Sequence, residues 1–218
     1  MSIIGDLKSK LSGKNVWEWG LTKIAHTRYK NIHKLARVHY SATVYNPANL
    51  YMSEMTNIDA GAIIMNTRAR VYFKKNSGAA FGLTVVTGNH ISSVGLNLKQ
   101  ITNDVKDKLD VNHEMDKDIV VEEDVWIGNH VTLLSGVTVG RGAEVGAGSV
   151  VRSSIPPYAV VIGNPCKIVG FRFTPEEIIE HEKVQYEEND RLPLDILQKN
   201  YEKYFINRIK DIKQFTKL

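Results

Sequence analysis

Of the seven histidines in this chain, His90 has the position best suited to chemistry. It closes the segment Thr87-Gly88-Asn89-His90, where a regular repeat stops and an irregular polar stretch begins. A side chain at such a break can face a cleft instead of a packed interior. Imidazole is neutral and basic near pH 7, so His90 is the natural candidate for a general base. Asn89 beside it can hydrogen-bond nearby backbone or a bound acceptor. Trp126 offers a flat wall to a ligand, or ordinary lateral packing. The other histidines are scattered: His26, His33 and His39 in or near the N-terminal segment, His113 in the irregular stretch, His130 at a corner of the repeat and His181 on an expected helix. The single cysteine, Cys166, excludes an internal disulfide framework, fits a reducing compartment and reads as a small packing residue.

The repeat that ends before His90 is clearest from Val121 to Pro156, where the chain reads VEEDVW, IGNHVT, LLSGVT, VGRGAE, VGAGSV, VRSSIP. The first position is aliphatic in all six hexads, and the fifth is small or β-branched. Helices space apolar residues by three or four and strands by two, so a period of six marks a repeated supersecondary unit, the parallel β-helix. Three hexads close one triangular coil. Each inward aliphatic contributes about 1.5–3 kcal/mol on burial, and stacked coils share one core. Glycines at the second position and near the corners permit tight turns. The flat faces of such a prism are natural docking surfaces for further copies of the chain.

Around this array the chain divides into parts. Residues 1–37 read as an N-terminal helical cap, with apolar residues such as Leu21 and Ile24 among basic ones. Residues 38–172 carry the β-helix. Its early beat is worn: Val38, Val44 and Leu50, then Ile58 and Ile64 after a two-residue slip, with bulges or insertions expected around Ser53–Thr56 and Ala69–Tyr72. Residues 91–118 break the beat and should project as a loop that shapes a pocket. Residues 173–218 form a helical tail. Thr174, Pro175 and Glu177 make a capping box for a helix to about Glu188, and a second helical segment starts at Pro193.

Composition narrows the classes. The chain has 218 residues, 43% hydrophobic, with a formal net charge of +4. The positive charges are dispersed, which favours a solvated surface over a nucleic-acid patch and suits an anionic cofactor. The first residues, MSIIGDLKSKLSGK, lack the apolar core and cleavage site of a secretory signal, and no apolar run approaches a membrane span. These features point to a cytoplasmic protein without membrane insertion.

The hexads, VVTGNH (85–90), DVWIG (124–128) and IGNPCKIVG (162–170) together resemble the hexapeptide-repeat acyltransferases. They look most like the branch of maltose and galactoside O-acetyltransferases and xenobiotic acetyltransferases. The resemblance spans about residues 38–172 and implies a mainly β, left-handed parallel β-helix, a homotrimer and acetyl-CoA as donor. It implies that His90 is the catalytic base, taking the acceptor proton as the oxygen attacks the thioester, with no covalent enzyme intermediate. By residue matching it places CoA along Gly128, Asn129, Ala147, Arg152, Ser153 and Lys167; the acceptor pocket is expected near Asp59, Asn89 and Trp126. Where the sugar-modifying relatives carry an acceptor-binding Asn, this chain has Ala60 with Asp59 beside it. Asp59 is a candidate to orient either the acceptor or the imidazole.

The expected activity is acetyl transfer to a saccharide hydroxyl. Alternatives are N-acetylation of an amino sugar nucleotide, acetylation of a xenobiotic, and a non-catalytic β-helix scaffold. A carbonic anhydrase branch shares this fold and carries paired histidines five positions apart in the repeat. No such pair occurs here, so no metal is expected.

Overall fold

Both apolar positions of the hexads point inward. Val121, Ile127, Leu133, Val139, Val145 and Val151 are buried, as are Val125, Val131, Val137, Ala143, Ser149 and Ile155. In the computed structural model, which describes residues 13–216, each hexad lays a short strand on one side of a triangular prism. The fourth hexad returns beside the first. Val121 pairs with Val139, Ile127 with Val145 and Leu133 with Val151, all in parallel.

Three faces result. The first stacks Arg37–Val38, Asn57–Ile58, Gly78–Ala79, Trp126–Ile127, Glu144–Val145 and Ala159–Ile162. The second stacks Thr43–Val44, Ile63–Met65, Thr84–Val86, Thr132–Leu134 and Val150–Val151. The third stacks Leu50–Met52, Val71–Phe73, Ile119–Val121 and Thr138–Val139. Lys167–Phe171 then folds back antiparallel on Ala159–Ile162 and ends the first face.

The two-residue slip has a physical cause. Three strands of the third face are long enough to turn two residues inward: Leu50 with Met52, Val71 with Phe73, and Ile119 with Val121. Counting six from the second residue of each pair regains Ile58, Ala79 and Ile127. The bulge expected around Ser53–Thr56 is therefore absent, while the corner before Val71 does hold one inserted residue: seven steps separate Ile64 from Val71, against six from Val44 to Leu50. Ser53–Thr56 is an ordinary corner turn, and Val71–Phe73 is a strand in register with Leu50–Met52 and Ile119–Val121.

The corner between the third and first faces stacks left-handed residues, coil upon coil: Met55, Asn76, Asp124, Gly142 and Tyr158. Gly142 has no alternative there. Its φ is +67°, and an added Cβ would lie 2.4 Å from the buried ring of Tyr158. The C-terminal helices dock on this corner. Thr174 and Glu177 form the expected reciprocal capping box, and the helix they start runs Pro175–Gln185. Its Glu182 is 1% exposed. That carboxylate accepts hydrogen bonds from the Tyr158 hydroxyl at 2.7 Å, Arg141 Nη1 at 3.0 Å and the Leu192 amide at 2.7 Å. Leu194–Tyr204 and Ile209–Thr216 complete the tail.

Residues 91–118 do leave the prism, but not as a structureless loop. They hold a 3-10 turn, Leu98–Gln100, and a helix, Asn103–Leu109, capped by the Thr102 hydroxyl. Arg68 pairs with Asp107 and Asp116, and Lys106 Nζ lies 2.8 Å from Asp116. The Asp110 carboxylate accepts the amides of Glu114 and Met115 at 2.8 and 2.9 Å. At the N-terminal end the described residues contain one helix, Gly13–His26, and the chain then runs irregularly onto the prism, where Ile32 bridges Met52. Residues 1–12 of the expected cap lie outside the described residues.

Candidate active site

His90 lies at the corner between the second and third faces, where the strand Thr84–Val86 leaves the prism. The segment before it is firmly held. The Thr87 hydroxyl donates to the Met65 carbonyl at 3.2 Å, while the Thr87 carbonyl accepts from Ser135 Oγ at 2.8 Å and from the Lys117 amide at 3.0 Å. Gly88 forms a bridge with Asp116, and the Asn89 amide donates to the Met115 carbonyl at 2.8 Å. Thr87–Asn89 is thus a short ribbon against the returning arm. His90 emerges from it exposed, with Asn89 exposed beside it. A rigid backbone under a solvent-facing imidazole is what a positioned base requires.

A second group gathers at the corner between the first and second faces. Asp59, Gly128 and Gly146 follow the in-register residues Ile58, Ile127 and Val145, so they stack along one edge. A groove of about 340 Å³ runs there, lined by Trp126, Gly128, Asn129 and Ala147 together with Ala80 and Gly146. A Cβ on Gly128 would lie 2.8 Å from the Ala147 amide nitrogen, so only glycine keeps this floor flush with the coil above. Asp59 Oδ1 accepts from the Ala60 amide at 2.8 Å. Trp126 is 54% exposed and walls the groove instead of filling the core.

The third group lies at the end of the prism. Arg152, Ser153 and Lys167 line a cavity of about 190 Å³ with Cys166, Tyr204 and Arg208. The sequence reading missed Arg208. It lies four residues after Tyr204 in the helical tail, where no motif marks it. Burial pushes the Cys166 thiol up, which keeps it protonated and suits a packing role.

The candidate residues therefore occupy two edges of the second face. Asp59, Trp126, Gly128, Asn129 and Ala147 are on one edge. Asn89, His90, Arg152 and Ser153 are on the other, since Thr87, Ser135 and Ser153 follow the in-register residues Val85–Val86, Leu133–Leu134 and Val151. The seven residues from Asn129 to Ser135, which include the strand Thr132–Leu134, run from one edge to the other. The outward side chains of the face between, Ile63, Met65, Thr84, Val86, Thr132, Leu134 and Val150, carry no charge.

A cavity of about 620 Å³ lies elsewhere, at the seam where the tail docks, among Asp124, Arg141, Arg172, His181 and Tyr186. Its charges pair with one another: Arg172 with Asp124 at 2.8 Å and Arg141 with Glu123 at 3.3 Å. Among the described residues, no group of three or more His, Cys, Asp or Glu side chains could hold a metal ion.

Residues 118–153 match the model of the bacterial transferase hexapeptide, six repeats. This chain carries the bacterial transferase hexapeptide repeat. Solved structures of the same hexapeptide fold include a hexapeptide-repeat-containing acetyltransferase from Vibrio cholerae. It is 23% identical, with 74% of this chain and 83% of that one covered and a TM-score of 0.54. Another is the N-acyltransferase AntD from Bacillus cereus, in complex with dTDP and 3-hydroxybutyryl-CoA. It is 16% identical, with 75% and 94% covered and a TM-score of 0.56. No curated protein matches the chain significantly. The shared architecture is the left-handed parallel β-helix, and the hexapeptide coils of this chain have its tail of helices appended.

Proposed function

We propose that this protein is an acetyl-CoA-dependent O-acetyltransferase acting on a saccharide hydroxyl, and that it works as a homotrimer. The observation that carries this reading is the division of the candidate residues between the two edges of one uncharged face. If three prisms turn that face toward a common axis, the edge bearing His90 on one copy meets the edge bearing Gly128, Asn129 and Ala147 on the next. Such closed rings repeat one heterologous contact and generate identical sites. The pantetheine arm then lies along the glycine-floored groove beside Trp126. Its phosphates reach the cations Arg152, Lys167 and Arg208 at the prism end.

In this arrangement His90 removes the proton of the acceptor hydroxyl as its oxygen attacks the thioester carbonyl carbon. The C–S bond breaks, the sulfur leaves with the proton from the imidazolium, and the products are an acetyl ester and CoA. Asn89 lies next to the base and is suited to hold the acceptor, with Asp59 of the neighbouring edge across the cleft. The N-acyltransferase neighbour, crystallised with a CoA thioester and dTDP, keeps amine acceptors in the comparison. Calorimetric titration with acetyl-CoA, followed by thiol release with matched hydroxyl and amine saccharides, tests the reading. Saturable binding and faster thiol release with hydroxyl acceptors are expected. Preference for the amine would reassign the acceptor, and absence of acetyl-CoA binding would leave a scaffold.

A further inference from the structure

The helix Gly13–His26 is amphipathic in an inverted sense. At 100° per residue, Val16, Trp17, Trp19, Lys23 and Ile24 fall within an arc of about 160°. That arc faces away from the protein: Trp17 is 69% exposed, Trp19 65%, Ile24 67% and Val16 48%. The opposite side carries Leu21 and the buried Ala25 and packs against the start of the prism at Arg37–Val38. Two tryptophans on a single outward face are a costly display of apolar surface, and clustered exposure of this kind marks an interaction site.

Charge identifies the partner. Residues 13–37 contain Lys14, Lys23, Arg28, Lys30, Lys34 and Arg37 against the single acid Glu18. Lys23, Arg28, Lys30, Lys34 and Arg37 are exposed, and Lys23 Nζ sits 5.6 Å from the Trp19 ring. Lys23 on the tryptophan face itself, with exposed basic residues in the segment that follows the helix, complements an anionic lipid surface: the rings enter the headgroup boundary and the ammonium and guanidinium groups meet phosphates. Fourteen residues are too few to span a bilayer, so the helix would lie in the plane of the interface. We infer that this helix docks the protein on the surface of an anionic membrane.

The test is co-sedimentation of the full chain with vesicles of phosphatidylcholine alone and of phosphatidylcholine mixed with phosphatidylglycerol. The wild-type protein should partition at least about tenfold more strongly onto the anionic vesicles, with a blue shift of tryptophan emission, and added salt should weaken this. Trp17→Ser/Trp19→Ser should lose at least about tenfold of that binding, and Lys23→Glu/Arg28→Glu should weaken it separately. Both variants alter exposed side chains, so unfolding midpoints should match the wild type. Failure of the wild type to bind, or equal binding by the tryptophan variant, would overturn the inference. So would a drop in solution mass in that variant without any lipid binding, which would show that a second copy covers the face.

Discussion

Replacing His90 with alanine should lower turnover by at least about 100-fold, the lower end of what a positioned general base supplies. The side chain is exposed, so its removal leaves no cavity, and the backbone bonds of Thr87 and Asn89 that hold the ribbon do not involve it. The unfolding midpoint should therefore remain within experimental error of the wild type, and acetyl-CoA should still bind. Thiol release under acceptor saturation, paired with a thermal melt, separates chemistry from folding. Near-normal turnover in a folded variant would remove His90 from the reaction. The neighbouring substitution Ser135→Ala is a useful contrast. It removes the hydroxyl that bonds the Thr87 carbonyl, so any effect it has reaches His90 only through the backbone.

The second large effect is on stability. Glu182→Ala should destabilise the fold by about 2–4 kcal/mol, because it leaves the buried Tyr158 phenol without its acceptor and the mostly buried Arg141 guanidinium with only Glu123 and the Asp190 carbonyl. Glu182 and Arg141 have side chains 2% and 14% exposed, and the Tyr158 hydroxyl points at the same carboxylate. Urea unfolding of the full chain measures this, and a change below about 0.5 kcal/mol would show the network to be dispensable. A pH signature accompanies it. Burial and the hydrogen bond to Glu182 raise the Tyr158 phenol above its ordinary range. A phenol held protonated more tightly in the folded state contributes fully below its unfolded value of about 10, and the contribution declines as pH rises beyond it. Tyr158→Phe should flatten that alkaline decline.

The regular coils were legible because every hexad repeats the same burial decision: Val121, Ile127 and Leu133 each point inward, and each is followed three residues on by a left-handed corner residue, Asp124, His130 and Gly136. Thr174 and Glu177 were equally plain, since a capping box is a local exchange of hydrogen bonds. The worn coils were harder. A third-face strand that buries both Leu50 and Met52 mimics a slip, and only the pairing with Val71–Phe73 shows that it is regular. The arm resisted reading for a different reason. Asn103–Leu109 is a short helix anchored by Arg68, whose partners Asp107 and Asp116 lie far along the chain, and no local period announces such a contact. The site was half legible. His90, Gly128 and the basic candidates near the prism end stand out by type and motif. Their separation onto two edges does not, because a hexad tells which residues point inward and not which residues share an edge once insertions accumulate.

That separation is also what a direct measurement can reach. His90→Ala destroys the base, and Ala147→Trp fills the groove at an exposed position without touching the core. Each variant alone should be inactive. Co-expressed in equal amounts, they should recover about a quarter of wild-type activity, because in a closed ring one contact in four joins an intact His90 edge to an intact groove edge. If base and groove belonged to one chain's site, no mixture could contain both intact, and the co-expressed protein would show no more activity than the two inactive variants apart.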